Sequence, residues 1–185
     1  MRIRIFPLLL LFFINPLFGQ DSLRLKGRYL LDGNFSLLNY GGDYYGEQSA
    51  LQIGVGLDRY LFENFAIGGK IMFNNLKIGN NSNSNIFLGP CISASFSPFT
   101  SSNLESRIFI KISYFLIREN ISTGFSGSSW NGTSLQYSGG IMTFILKNVS
   151  LNSEIGYSFD RYDPPEMDKV DGTRFFLILG FSLLL

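Results

Sequence analysis

Four charged side chains stand where charge is out of place. Asp32, Lys70, Lys111 and Glu154 each lie inside a run in which bulky apolar residues alternate with Gly, Ser and Asn, on the polar side of the alternation and near the middle of the run. Two carboxylates and two ammonium groups enclosed together could pass a proton or a small ion along an axis. They could also pair with one another and fill an interior. An unpaired charge taken out of water costs several kcal/mol, so pairing is the favoured chemistry and the four are read as a structural network.

Other reactive groups are few. The chain has no histidine, which removes Ser-His and Cys-His nucleophile activation and the usual zinc sites. Cys91 is the single cysteine and cannot form an internal disulfide. Between Gly89 and Ser93 it reads as a small inward packing residue. The stretch Asp160–Asp171 is acidic but lacks the spacing of a calcium loop. Asn80–Asn85 reads as a flexible polar loop. Trp130 lies among Gly, Ser and Asn, where it could touch a ligand or surface sugars or join an aromatic girdle. No catalytic, cofactor or metal site is expected, and an enzyme is not expected. A net charge of +1 without a basic stripe argues against nucleic acid.

Eight strands are needed to position the four charges. They are expected at about Gly27–Leu38, Ser49–Tyr60, Phe65–Asn75, Ile86–Ser97, Arg107–Glu119, Thr133–Leu146, Val149–Asp160 and Thr173–Leu185. In the second, Leu51, Ile53, Val55 and Leu57 alternate with Gln52, Gly54, Gly56 and Asp58, and a period of two makes one face apolar and the other small or polar. Runs of this length cross a bilayer when tilted. Charged residues make up 16%, against about 25% in soluble domains. The connections are tight at Leu61–Asn64 and Lys147–Asn148, intermediate at Pro98–Ser106, and longer at Asn39–Gln48, Lys77–Asn85, Asn120–Gly132 and Arg161–Gly172. Short periplasmic turns and long outer loops give that rhythm and place both termini on the periplasmic side. The fold class is therefore all-β, an eight-stranded antiparallel up-and-down transmembrane barrel. A soluble lipocalin-like barrel, with the large residues turned inward around a ligand, shares the alternation, and pattern alone leaves both open.

The N-terminus reads as an export signal. Arg2 and Arg4 precede an apolar run from Ile5 to Ile14, Asn15 and Pro16 break it, and Gly19 supplies a small residue for cleavage. Residues 1–19 are expected to be removed, or 1–20 if the cut follows Gln20, leaving a barrel domain over residues 20–185. An uncleaved anchor helix is the alternative, for which the run is short. Loss of Arg2 and Arg4 takes the formal charge from +1 to −1. No cysteine follows the cut, so no lipoprotein anchor is expected.

The stretch Gly56-Leu57-Asp58-Arg59-Tyr60-Leu61-Phe62-Glu63-Asn64-Phe65-Ala66-Ile67-Gly68-Gly69 resembles the second hairpin of the outer-membrane β-barrel domain family, which includes OmpA-like and OmpX-like eight-stranded barrels. Leu88-Gly89-Pro90 is similar to that family's fourth strand. Leu179-Gly180-Phe181-Ser182-Leu183-Leu184-Leu185 is similar to its last strand, departing at Leu185, where an aromatic residue is common. The resemblance implies residence in the outer membrane and no catalytic residues.

The functions weighed are a structural or surface-interaction protein displaying four extracellular loops, a narrow pore or conduit for small or apolar solutes, and a soluble ligand-binding barrel. Outer-membrane lipids and lipopolysaccharide, the barrel-assembly machinery and an unknown extracellular ligand held by the loops are the expected partners. Eight strands leave a lumen that side chains can fill, so the barrel is expected to be closed to ions, although Gly54, Gly56, Gly68, Gly140 and Gly156 on the inner face leave space.

Overall fold

A sheet of strands with one apolar face must close on itself or leave an edge exposed. In a computed structural model that describes residues 24–41, 48–78, 81–100, 105–123, 126–164 and 168–185, the chain closes. The expected export signal and its cut lie outside the described residues. The strands are β1 (Tyr29–Gly41), β2 (Gln48–Phe62), β3 (Phe65–Ile78), β4 (Asn81–Thr100), β5 (Glu105–Thr123), β6 (Ser126–Leu146), β7 (Val149–Asp163) and β8 (Val170–Leu184). Each pairs antiparallel with its neighbours in sequence, and β1 closes on β8.

The stagger of this sheet fixes its shape. Following paired residues once round the barrel from Leu30, through Asp58, Gly68, Cys91, Ser113, Gln136, Ser158 and Arg174, returns to β1 at Tyr40, an offset of ten residues. At about 3.3 Å per residue and about 4.8 Å between strands, that offset tilts the strands about 40° from the axis.

The tilt decides which face meets what. Thirty-three large apolar side chains among the described residues are 36–63% exposed, and they wrap the outer surface. On β7 the outward run goes from Val149 to Phe159, and ten such tilted steps rise about 25 Å, the height of an outer-membrane barrel's apolar band. A soluble protein does not expose apolar surface on this scale, so the large residues face lipid and the lipocalin-like alternative falls. Next along each outward row come Asn39, Asn75, Ser84, Arg118, Thr133, Arg161 and Thr173. The stagger brings these seven to about one level, which marks the upper edge of the band.

Strand ends differ most from expectation on β4, β5 and β6. The stretches Asn120–Gly132 and Lys77–Asn85, expected as loops, are largely ladder: Asn120 pairs with Ser129, Thr123 with Ser126, and Asn74 through Ile78 with Asn85 through Asn81. Trp130 is therefore no loop residue. It sits on β6 opposite Glu119, above the band. At the other end, Pro98–Ser106 is shorter than expected, because β4 runs to Thr100 and β5 starts at Glu105. A ladder needs only backbone groups. Above the membrane, polar side chains do not oppose it.

Gly89-Pro90 has a local reason. Pro90 has no N–H to give, and the paired positions skip from Leu88–Leu116 to Cys91–Ser113. Here β4 presses against β5 so closely that a Cβ on Gly89 would lie 1.9 Å from the Tyr114 carbonyl oxygen.

Candidate functional site

Side chains on the even-numbered positions of β1 and the facing positions of the other strands point into the lumen, where they stack in layers. The layer nearest the termini is apolar: Leu30, Tyr60, Phe109, Met142, Phe144 and Leu184, closed by Leu25. Leu25 reaches it because the segment before β1 folds back over the mouth. Arg28 N–H donates to the Leu25 carbonyl (2.9 Å), Leu25 N–H to Glu63 (2.8 Å), and Gly27 takes a φ of 83° that favours glycine. A second apolar layer lies higher, built from Leu38, Met72, Phe87, Phe115, Ile117, Tyr162, Phe176 and Ile178.

The four expected charges lie between these layers. Asp32, Lys70 and Glu154 are each more than nine-tenths buried. Lys111 Nζ lies 3.3 Å from Asp58 and 3.9 Å from Asp32. The Cys91 thiol donates to the other Asp58 oxygen at 3.1 Å. Asn152 donates to the Ser182 hydroxyl, which donates to Asp32. Lys70 and Glu154 line the same small cavity of about 30 Å³ as Asp32, Asp58 and Lys111. Among the described residues neither has an ion-pair partner within 4.0 Å. A cavity of that size has room for one or two waters, enough to join an ammonium to a carboxylate.

Sequence reasoning expected four charges in the lumen and missed a fifth, Asp58. Asp58 is the main partner of Lys111, yet it lies toward the end of its strand in sequence and reaches the belt only through the barrel's stagger. The stoppers were missed as well. The signal was present in Phe175-Phe176-Leu177-Ile178-Leu179, where both faces are apolar and a lipid-facing row accounts for only one.

Two further ion pairs flank the apolar layers. Above, Arg174 is fully buried, donates to both oxygens of Asp160 and to Ser134 (3.2 Å), and stands 4.4 Å from the Phe87 ring. Below, Arg107 donates to Glu105 at 2.7 Å and to the Glu63 carbonyl at 3.1 Å. A third pair is outside: Arg161 grips Asp171 through Nε (2.9 Å) and Nη2 (3.4 Å) at the outer rim. That hydrogen bond holds the exposed Asp171 carboxyl below the usual carboxylate range. Such an interior can carry internal proton or water exchange within the belt. It has no substrate-sized chamber there, and no cluster of His, Cys, Asp and Glu among the described residues could hold a metal.

No family model matches the sequence, and no curated protein matches it. Solved structures share the fold. Neisserial surface protein A superposes with a TM-score of 0.67 at 13% identity, over 84% of this chain and 96% of that one. The outer membrane protein OprG of Pseudomonas aeruginosa gives 0.54 at 10% identity, over 88% and 97%. Ail of Yersinia pestis gives 0.53 at 11% identity, over 86% and 99%. The chain has the fold of the eight-stranded outer-membrane barrels.

Proposed function

We propose that the protein is a non-enzymatic barrel of the Gram-negative outer membrane, with its lumen closed, that presents an extracellular interaction surface. The observation that carries this reading is a contrast along the axis. Two apolar layers lie within the lumen, which supports closure, while above the band the backbone ladder continues. There β3 runs on to Ile78, β4 reaches Asn81, β5 Thr123 and β6 Ser126, so four strands project as one sheet. Its ladder restrains these residues as a free loop would not, and a surface that is already ordered loses less entropy on binding. On this reading the four connections at that end, among them residues 42–47 and 165–167, are the extracellular loops. The membrane partners are outer-membrane lipids, lipopolysaccharide and the barrel-assembly machinery, and the ligand of the projecting sheet is extracellular. A fold relative carries the name attachment invasion locus protein, in keeping with a surface role. A pore for ions or small polar solutes needs a continuous polar path, which the two apolar layers oppose.

Sidedness is tested with single cysteines, since Cys91 is buried and should give little background labelling. A membrane-impermeant maleimide should label Asn131→Cys on intact cells and Lys147→Cys only after the outer membrane is opened. The reverse pattern would turn the molecule over. Function is tested by trimming the β5–β6 hairpin above Arg118 and Asn131. Adherence of expressing bacteria to an epithelial-cell layer should fall while the barrel stays folded. Unchanged adherence would remove the surface-interaction reading.

A further inference from the structure

A groove of about 560 Å³ crosses the outside of β5 to β8 at the upper edge of the apolar band. Its lower half is Tyr114, Leu135 and Phe159, and its upper half is Thr133 and the Arg161–Asp171 pair. Leu116, Thr133, Arg161 and Asp171 form one row across the four strands, and Arg118 stands one outward step above Leu116.

The charges at this rim are unequally satisfied. Lys169 is taken by Asp163 at 3.6 Å. Arg118 is exposed and has no hydrogen-bond or ion-pair partner among the described residues. Arg161 gives Asp171 its Nε edge. The N–H groups of Nη1 remain, and the carboxylate fixes the plane in which they point. A guanidinium held by one edge is prepared to take a second anion on the other.

We infer that this groove binds one phosphorylated lipid of the leaflet in which the rim lies. Its phosphate sits between Arg161 and Arg118, and an acyl chain lies along Phe159, Leu135 and Tyr114. The lower half opens onto the apolar band, where an acyl chain fits and a peptide or a sugar would leave its polar groups unsatisfied. The upper half offers cationic donors at headgroup height, where anionic lipids are attracted to basic side chains. Asp171 is a positioning residue: it touches no lipid and aims Arg161. Naming the leaflet as the outer one, and so the ligand as a lipid-A-like glycolipid, rests on the orientation proposed above.

The test is native mass spectrometry of the full barrel released from a zwitterionic detergent, with synthetic bis-phosphorylated lipid A or phosphatidylcholine added at equal concentration. The wild type should keep one lipid A, about tenfold in preference to phosphatidylcholine, and Arg118→Gln with Arg161→Gln should remove that preference. Asp171→Asn should weaken it while leaving both arginines, a loss that a purely structural salt bridge would not cause. The heat-dependent gel shift shows that each variant is folded. Equal retention by the wild type and the double variant would overturn the site, as would equal retention of the two lipids by the wild type. Displacement of lipid A by millimolar inorganic phosphate would also overturn it, by reducing the groove to a phosphate contact. Detergent has no sides, so this result is independent of the labelling experiment. If labelling inverts the barrel while lipid A is retained, the site stands and the assigned leaflet falls.

Discussion

Two ion pairs of similar make-up show how differently the two regions of this barrel use charge. In the lumen Lys111 lies 3.3 Å from Asp58, with side chains only 10% and 5% exposed. At the rim Arg161 lies 2.9 Å from Asp171, with side chains 63% and 71% exposed. The rim pair is closer and, in contact terms, better made. It is nonetheless the cheaper one to break, because water and salt screen both partners and either ion is well solvated alone. The lumenal pair is held in a medium that solvates a lone ion poorly, so losing one partner strands the other. Distance alone ranks them the wrong way round. Burial ranks them correctly, and it also separates their uses: interior charges fix a structure, and rim charges remain available to a ligand.

The comparison breaks or sharpens first at Lys111. Replacing it by Met strands Asp58 and Asp32, and should cost about 3–5 kcal/mol at neutral pH. Adding Asp58→Asn should recover part of that loss. Urea unfolding in lipid vesicles, followed by the emission of the single tryptophan, reads both variants. A Lys111→Met barrel as stable as the wild type would show that the belt is wet rather than enclosed.

Lipid and lumen faces should differ next. Leu179 lies outward near the middle of the band. Leu179→Arg should cost about 2–4 kcal/mol, read by the same titration. No loss would mean that this row does not meet lipid. A smaller effect is expected at Gly89, where Ala would press its methyl onto the Tyr114 carbonyl of β5 and cost about 1–3 kcal/mol. Backbone cannot swing away as a side-chain tip can. An unfolding midpoint unchanged by Gly89→Ala would show that β4 and β5 are not pinched there.

The smallest effect belongs to the rim. Asp171 has its folded pKa lowered by Arg161, so what the pair contributes is present above the ordinary carboxylate pKa and fades as pH falls through the lowered value. Since both groups are exposed, wild-type and Asp171→Asn unfolding curves should superimpose at pH 7. A loss comparable to that of Lys111→Met would erase the contrast between the two regions.

Much of this was legible in the residues. The facing of every strand follows from alternation, since Leu51, Ile53 and Val55 can share a face only in a strand, and lipid accepts that face only outward. Three things were not legible. Asp58 joins Lys111 because a ten-residue stagger slides β2 relative to β5, and stagger is a property of the closed sheet. The lumen stoppers Met72, Phe87, Phe115 and Phe176 sit on the face that alternation assigns to small or polar residues, so a rule with one apolar face has no place for them. The extension of β5 and β6 through Asn120–Thr123 and Ser126–Gly132 has only Ile121 and Trp130 among polar residues and glycines, with no alternation to read. Outside the membrane nothing in a side-chain pattern separates such a ladder from a loop.

The central claim is that two apolar layers seal the lumen around a charged belt in which Lys111 faces Asp58 and Asp32. A planar-bilayer recording of the refolded protein tests it most directly. The sealed barrel predicts a flat current at all applied voltages. A steady unitary conductance whose ion selectivity changes in Lys111→Met would contradict it, because ions would then be passing the belt.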